Sequence, residues 1–249
     1  MLKYILLGLV QGLTEFLPVS SSGHLVLLQR ILQISEHQLF NIVLLHLATT
    51  LAAVVFFWSD IIKALKTVRT VFQILTVTFI TGLIALSGKD YFTGLFSSVG
   101  MVSLSLLITG IILLCTKGFL KHSRGIKDIN FKDAFILGLA QGIAVIPGIS
   151  RSGITISTLL FRKVDQDSAF RFSFLAAIPA IFGAFILEAK ELNFSPSQLQ
   201  PQLSAGFLAA FISGLCALYI LRVILQRAKF FYFGYYCISA AVLSWIFLR

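Results

Sequence analysis

The chain has 249 residues, of which 57% are hydrophobic and 12% are charged, and its mean hydropathy is +0.94. Soluble globular proteins carry roughly 25% charged residues, so this composition excludes a water-soluble enzyme and a disordered chain. The net charge is +10. In a soluble protein that excess would suggest a nucleic-acid partner. Here the basic residues lie between apolar runs, which indicates a membrane protein with no nucleic-acid partner.

The first feature in chain order is an apolar stretch at 1–33 that is interrupted at 16–23, around Pro18. A second interrupted stretch covers 131–162 and breaks at 146–153. Because Pro and Gly end helices, each stretch predicts a helical hairpin that enters the membrane and turns back. Six further runs are long enough to cross a bilayer. They are 39–58, 70–87, 95–116, 166–190, 203–221 and 230–248.

The two interrupted stretches resemble each other when the first is shifted by 130 residues. Eight positions then match, among them Gln11 with Gln141 and Ser20 with Ser150. Each copy is a hairpin followed by three spans, and this odd number inverts the second copy in the membrane. We therefore expect an all-α polytopic membrane protein with one membrane domain. It is an inverted repeat of six transmembrane helices and two re-entrant helical hairpins, with repeats at about 1–116 and 131–249.

The basic residues predict the orientation of the chain. Fourteen of the 20 lie in the loops 59–69, 117–132, 162–171 and 222–229, and five lie on the opposite side. Cytoplasmic loops are enriched in Lys and Arg, so we expect the N-terminus outside the cytoplasm, with the first hairpin entering the membrane from that side. The alternative is that this bias reflects only binding to anionic lipids at the membrane surface.

Four ionisable residues lie inside the apolar stretches, namely Glu15, His24, His46 and Arg151. Such residues are costly in a bilayer and mark functional sites or buried pairs. Glu15 and Arg151 lie beside the two breaks, so a two-fold relation between the repeats would bring them together near mid-membrane. His46 has no charged residue near it in the sequence, and we interpret it as a packing or hydrogen-bonding histidine.

Hydroxyl groups gather where each returning half-helix begins, and the free N–H groups there attract anions. Together with the guanidinium, they form a candidate phosphate-binding site. Its predicted residues are Ser20, Ser22, Ser150, Arg151, Ser152 and Thr155. Serines at a helix start are more often simple caps, and that alternative stays open for each cluster.

Gln11 and Glu15 are four residues apart and share one helix face. A carboxylate beside an amide oxygen could bind a hard divalent cation, and a nearby serine hydroxyl with a base could attack phosphorus. The alternative is that Glu15 only pairs with an arginine to stabilise the topology.

These residues resemble the signatures of a known family. The segment QGLTEFLPVSSSGH at 11–24 resembles the first signature of the undecaprenyl-diphosphatase family, the BacA-type phosphatases of bacitracin resistance. PGISRSGIT at 147–155 resembles the second, and the likeness covers essentially the whole chain. It implies hydrolysis of undecaprenyl diphosphate to undecaprenyl phosphate and inorganic phosphate, which recycles the lipid carrier for cell-wall synthesis. It also implies a divalent cation (Mg²⁺ or Ca²⁺) and a multi-pass protein of the bacterial cytoplasmic (inner) membrane, with its active site facing outward.

By motif position, the resemblance implies that Ser21 is the nucleophile, with Glu15, His24 and Arg151 as further catalytic groups. Glu15 and Gln11 would bind the metal. Many family members have Glu where this chain has Gln11, so we expect weaker metal binding here. The alternative functions are an inverted-repeat transporter or polyprenyl-phosphate flippase and, third, a non-catalytic scaffold. The sequence leaves the oligomeric state open, with a homodimer as one candidate.

Overall fold

The computed structural model describes residues 1–32, 39–95, 98–119, 123–191 and 201–247. Within these ranges the chain forms twelve α-helices and no β-strand, which confirms the all-α prediction. Of the basic residues counted above, Lys121 and Arg249 lie outside the described ranges. The helices are α1 (Leu2–Phe16), α2 (Ser21–Leu32), α3 (Leu39–Phe56), α4 (Trp58–Leu65), α5 (Val68–Ser87), α6 (Lys89–Leu95), α7 (Val99–Cys115), α8 (Phe131–Ile143), α9 (Arg151–Phe161), α10 (Gln166–Glu191), α11 (Pro201–Gln226) and α12 (Tyr232–Phe247).

Several helices are long and apolar enough to cross a membrane, which makes the protein polytopic. Four qualify in the described ranges, within α5, α7 with the 3₁₀ turn that follows it, α10 and α11. A fifth span results if α3 and α4 count together, although they meet at an angle of 71°. The apolar α12 has 16 residues and is shorter than these spans. The number six therefore remains a prediction.

The helix boundaries differ from several of the predicted loops, and the loop 222–229, for example, is shorter because α11 continues to Gln226. The predicted loop 59–69 contains α4, which is bent away from α3 after Phe57. The predicted loop 162–171 is shorter, because α10 begins at Gln166 and includes Arg171. The helices expose many large apolar side chains, as a lipid-facing surface requires: Phe79 on α5, for example, is 71% exposed.

Both interrupted stretches fold as pairs of short helices. The first pair, α1 and α2, has 15 and 12 residues, and the second pair, α8 and α9, has 13 and 11. At about 1.5 Å per residue none of the four reaches the roughly 30 Å of a bilayer core. The first turn passes through Ser20 at φ +66°, and the second passes through Gly148 at φ +94°. Both predicted breaks are confirmed.

The two halves of the chain pack on each other reciprocally. Helix α1 packs on α11, and its counterpart α8, 130 residues later, packs on α5, the counterpart of α11. Helices α3 and α10 contact each other, as do α7 and α12. The contact of α1 with α11 requires glycine, because a Cβ atom on Gly8 would lie 2.1 Å from the Gly206 carbonyl oxygen. A two-fold relation between the repeats predicts this pattern. It relates the α1–α11 contact to the α8–α5 contact, and it relates the members of each remaining pair to each other.

A buried ion cluster closes the base of the second hairpin. The Asp133 side chain is fully buried in the first turn of α8 and accepts hydrogen bonds from Arg124 Nη2 at 2.6 Å and from Arg162 Nε at 2.7 Å. Arg162 follows the last residue of α9, so the cluster joins the two arms. The position equivalent to Asp133 in the first hairpin is Lys3, so the first hairpin has no acidic residue at the position that holds this ion cluster together.

Candidate active site

The tips of the two hairpins are in contact. Ser152, at the start of α9, donates a hydrogen bond from its hydroxyl to the Leu17 carbonyl oxygen at 3.2 Å. A Cβ atom built on Gly23 of α2 would lie 3.3 Å from Cα of Gly148, so the two backbones approach closely. Phe16, the last residue of α1, is anchored by the ring of Phe174 on α10, with centroids 5.6 Å apart. The site is therefore assembled from both halves of the chain.

The two charged residues beside the breaks form an ion pair. Arg151 Nη2 lies 2.5 Å from Glu15 Oε1, and the two side chains are 16% and 6% exposed. A buried charge is costly unless it is paired, and this pair satisfies one oxygen of the carboxylate. The other terminal nitrogen, Nη1, is buried and has no hydrogen-bond partner among the described residues. The guanidinium thus keeps donors for a further anion.

The second oxygen of the carboxylate accepts a serine hydroxyl. Ser21 Oγ donates to Glu15 Oε2 at 2.6 Å, and the Ser21 side chain is half-buried at the first position of α2. A hydroxyl that donates to a carboxylate can act as a nucleophile, with the carboxylate as its base. The structure thus brings Glu15, Ser21 and Arg151 together.

Gln11 lies one helical turn before Glu15 and contacts it directly. Its Nε2 donates to Glu15 Oε2 at 3.0 Å, while its Oε1 is buried without a hydrogen-bond partner in the described part of the chain. A carboxylate, an amide oxygen and a hydroxyl are oxygen donors of the kind that Mg²⁺ and Ca²⁺ prefer, so the residues fit a hard cation. Together these groups carry a single negative charge, on Glu15, and that charge is already paired with Arg151. Among the described residues, no group of three or more His, Cys, Asp or Glu side chains could hold a metal.

His46 belongs to this cluster, and the sequence interpretation missed this. Its Nδ1 lies 3.1 Å from Gln11 Nε2 and 3.6 Å from Glu15 Oε2. The interpretation of His46 as a hydrogen-bonding histidine is confirmed by its contact with Gln11, but its distance from any charge holds only in the sequence, because Glu15 lies close in space. The charge is distant in sequence but close in space, because α3 packs on α1. The one available signal was an ionisable residue in an otherwise apolar span.

The predicted phosphate-binding hydroxyls are largely engaged with the protein. Ser20 and Ser150 accept from the backbone N–H of Gly23 and Gly153 at 3.3 and 3.2 Å, so each caps the start of its half-helix. Each also contacts the hydroxyl two residues later, in Ser22 and Ser152, at 3.3 Å.

Thr155 lies deeper along α9. Its hydroxyl donates to the Arg151 carbonyl oxygen at 2.7 Å and lies 2.6 Å from Ser173 Oγ. Phosphate binding by the hydroxyls of Ser20, Ser22, Ser150, Ser152 and Thr155 remains a prediction.

His24 makes its hydrogen bonds away from the serine–carboxylate pair. Its Nδ1 lies 2.9 Å from the Ser20 carbonyl oxygen, and its Nε2 lies 2.7 Å from Oη of Tyr236 on α12. A carbonyl only accepts, so Nδ1 carries the proton and neutral His24 accepts from the tyrosine at Nε2. Sequence reasoning did not identify Tyr236, which comes from the last helix. The proton of Ser21 is directed at Glu15 and not at His24.

The chain is similar to known proteins over nearly its whole length. The profile of the BacA family, described as bacitracin resistance protein BacA, matches residues 4–243. A protein named undecaprenyl-diphosphatase from Halothermothrix orenii is 42% identical over 241 residues, covering 94% of this chain and 93% of the relative. Relatives of the same name from Carboxydothermus hydrogenoformans and Thermotoga petrophila are 41% and 38% identical. They cover 93% and 97% of this chain, and 91% and 98% of their own lengths.

Proposed function

The chain belongs to the BacA family, and from that premise we propose that it hydrolyses undecaprenyl diphosphate to undecaprenyl phosphate and inorganic phosphate. Recycling of the lipid carrier for cell-wall synthesis, and with it bacitracin resistance, follows from this activity. The relatives named undecaprenyl-diphosphatase match over nearly their whole length, which supports the same activity here. The apolar helices support a multi-pass membrane location. The proposal includes the bacterial cytoplasmic membrane, with the site facing outward, as the positive-inside bias suggests.

The observation that carries the mechanism is the hydrogen bond from Ser21 Oγ to Glu15 Oε2. The other oxygen of the same carboxylate is paired with Arg151, so the serine and the guanidinium lie next to each other. Ser21 Oγ attacks the terminal phosphorus while Glu15 takes its proton. The bond between that phosphorus and the bridging oxygen breaks, and undecaprenyl phosphate leaves. Water then attacks the phosphoserine, giving inorganic phosphate and restoring the serine. Direct attack by water is the alternative, and it uses the same carboxylate as base.

Arg151 supplies most of the electrostatic stabilisation from this chain. Phosphoryl transfer is accelerated mainly by positioning and by neutralising the phosphate oxygens. Arg151 Nη1, which has no hydrogen-bond partner in the ranges that the structure describes, and the N–H groups at the start of α9 are available for that purpose. The isoprenoid tail would lie along the lipid-facing helices, which expose many large apolar side chains.

A divalent cation, Mg²⁺ or Ca²⁺, is part of the proposal. Gln11 Oε1 and the Glu15 carboxylate would hold it, since the amide oxygen is buried without a partner among the described residues. When bound, such an ion polarises phosphate oxygens and offsets their charge. Gln11 brings no charge of its own, so we expect weaker binding than a pair of carboxylates would give.

The test is phosphate release by the purified protein in detergent, with undecaprenyl diphosphate and Mg²⁺, with and without a chelator. We expect Ser21→Ala to lower the rate about 10³-fold or more, because the nucleophile is removed. Ser157→Ala is the matched control, since the Ser157 hydroxyl is buried on α9 without a hydrogen-bond partner in the described ranges. An unmodified protein that releases no phosphate would refute the proposed activity.

Transport of a polyprenyl phosphate is the second candidate, and the reciprocal packing of the two halves favours it. A transporter needs no nucleophile, so its flux would survive Ser21→Ala. A vesicle assay of lipid movement with this variant separates the two functions. Loss of phosphate release together with loss of movement would indicate that transport, if present, depends on hydrolysis.

A further inference from the structure

His46 has a fixed position beside the site. It comes from α3, whose 18 residues include no other ionisable side chain. Its backbone carbonyl oxygen accepts from the hydroxyls of Thr49 and Thr50 at 3.0 and 2.7 Å, and both threonines are buried. Helix α3 is itself held between α1, α10 and α11. The backbone that carries His46 is therefore held in place by the packing of α3, which brings the ring to within hydrogen-bond distance of Gln11.

The side-chain amide of Gln11 is held by two acceptors at once. Its Nε2 carries two hydrogens, of which one is donated to Glu15 Oε2 at 3.0 Å and the other faces His46 Nδ1 at 3.1 Å. The reversed amide would place Oε1 against the Glu15 carboxylate, with two acceptors facing each other. His46 Nδ1 is therefore the acceptor in this contact.

This arrangement leaves the amide oxygen of Gln11 without a hydrogen-bond partner among the residues that the structure describes. Oε1 is buried and makes no hydrogen bond within the described part of the chain. A buried acceptor is unfavourable unless a ligand satisfies it. An amide oxygen next to a carboxylate suits a hard divalent cation. The carboxylate lies within one helical turn, at Glu15.

We propose that His46 is a positioning residue, which holds the Gln11 amide so that Oε1 is free to bind a divalent cation together with Glu15. The inference rests on the proposed function and adds a residue to it. His46 does not touch the cation or the phosphate in this arrangement. Its effect passes through Gln11, so the loss of His46 matters only while Gln11 is present.

The experiment measures cation binding in two ways. One readout is the Mg²⁺ concentration that gives half-maximal phosphate release, and the other is the rise in unfolding temperature when Mg²⁺ alone is added without substrate. His46→Leu keeps the bulk but removes the acceptor, and we expect a two- to tenfold higher Mg²⁺ midpoint, the range of about one lost hydrogen bond. His46→Asn keeps an acceptor near the position of Nδ1 and should return the midpoint to within about twofold.

The decisive comparison is made in a Gln11→Ala background. There, His46→Leu should produce no further change in either readout. Leu45→Ala is the control for packing of α3, because Leu45 is buried next to His46. It should lower the unfolding temperature and leave the Mg²⁺ midpoint unchanged.

The proposal is overturned if His46→Leu leaves both Mg²⁺ readouts unchanged, or if it costs as much in the Gln11→Ala background as in the unmodified protein. It is also overturned if Mg²⁺ fails to raise the unfolding temperature of the unmodified protein. If no phosphate is released but Mg²⁺ still raises that temperature in a His46-dependent way, the proposed activity fails and the role of His46 stands.

Discussion

The ion pair between Glu15 and Arg151 can be tested by a cycle of three variants. Glu15→Gln leaves the guanidinium buried without its counter-charge, and Arg151→Met leaves the carboxylate in the same state. The double variant carries neither charge. Because the two side chains are only 6% and 16% exposed, water cannot replace the missing partner in either single variant.

The expected magnitudes follow from this burial. Removing one member of a buried pair costs about 3–5 kcal/mol, whereas replacing both members by neutral groups of similar volume is often close to neutral. A loss of 1 kcal/mol lowers the unfolding temperature of a chain of this size by about 2–4 °C. Each single variant should therefore unfold about 6–20 °C below the unmodified protein, and the double variant should recover most of that loss.

Thermal unfolding in detergent measures the stability, and phosphate release measures the activity. Activity should stay low in all three variants, since each lacks the Glu15 base, the phosphate-binding guanidinium of Arg151, or both. Recovery of stability without recovery of activity would establish the contact between the hairpins. If the unfolding temperatures of the single variants fall by amounts that simply add in the double variant, the two residues do not interact and the site described here is wrong.

Three further predictions concern the surroundings of the site. Tyr236→Phe removes the hydroxyl that binds the His24 ring and should lower kcat about two- to tenfold. Tyr235→Phe, one position earlier, is the control and should leave kcat unchanged. Equal rates in the two variants would contradict this prediction. Asp133→Ala should cost about 1.5–3 kcal/mol of unfolding free energy, measured as a lower unfolding temperature, because two arginines that are about one third exposed lose a charged hydrogen-bond acceptor. Gly12→Ala should separate α1 from α11 and impair folding, seen as loss of monodisperse protein, because its Cβ atom would lie 2.4 Å from a carbonyl oxygen of α11. Gly82→Ala, which would meet nothing within 4 Å, is the control.

Local sequence patterns accounted for the architecture of the hairpins. Pro18 and Gly148 mark turns that short-range backbone preferences determine, and the structure breaks the helices at both places. The meeting of Glu15 with Arg151 was also predictable, because the duplication implied a two-fold relation and both residues lie beside a break. This inference needed only the sequence and a symmetry argument.

Contacts between helices could not be obtained in the same way. His46 and Tyr236 reach the site from α3 and α12, which are uniformly apolar helices. In such helices no amphipathic period shows which face points inward. Thr155 illustrates a related limit. The sequence placed its hydroxyl among the phosphate-binding groups but did not show that this hydroxyl would bind the Arg151 carbonyl oxygen and Ser173. Which side chains form hydrogen bonds with each other across helices depends on how the helices pack.

The central claim, attack by Ser21 on a diphosphate held by Arg151, is tested most directly by trapping the intermediate. Substrate labelled in its terminal phosphate is mixed with the purified protein and quenched with acid at millisecond intervals. The account predicts that label appears on Ser21 before free phosphate accumulates, and that Ser21→Ala protein carries none. Free phosphate that appears at full rate with no labelled protein at any time would show that water attacks directly and would contradict the account.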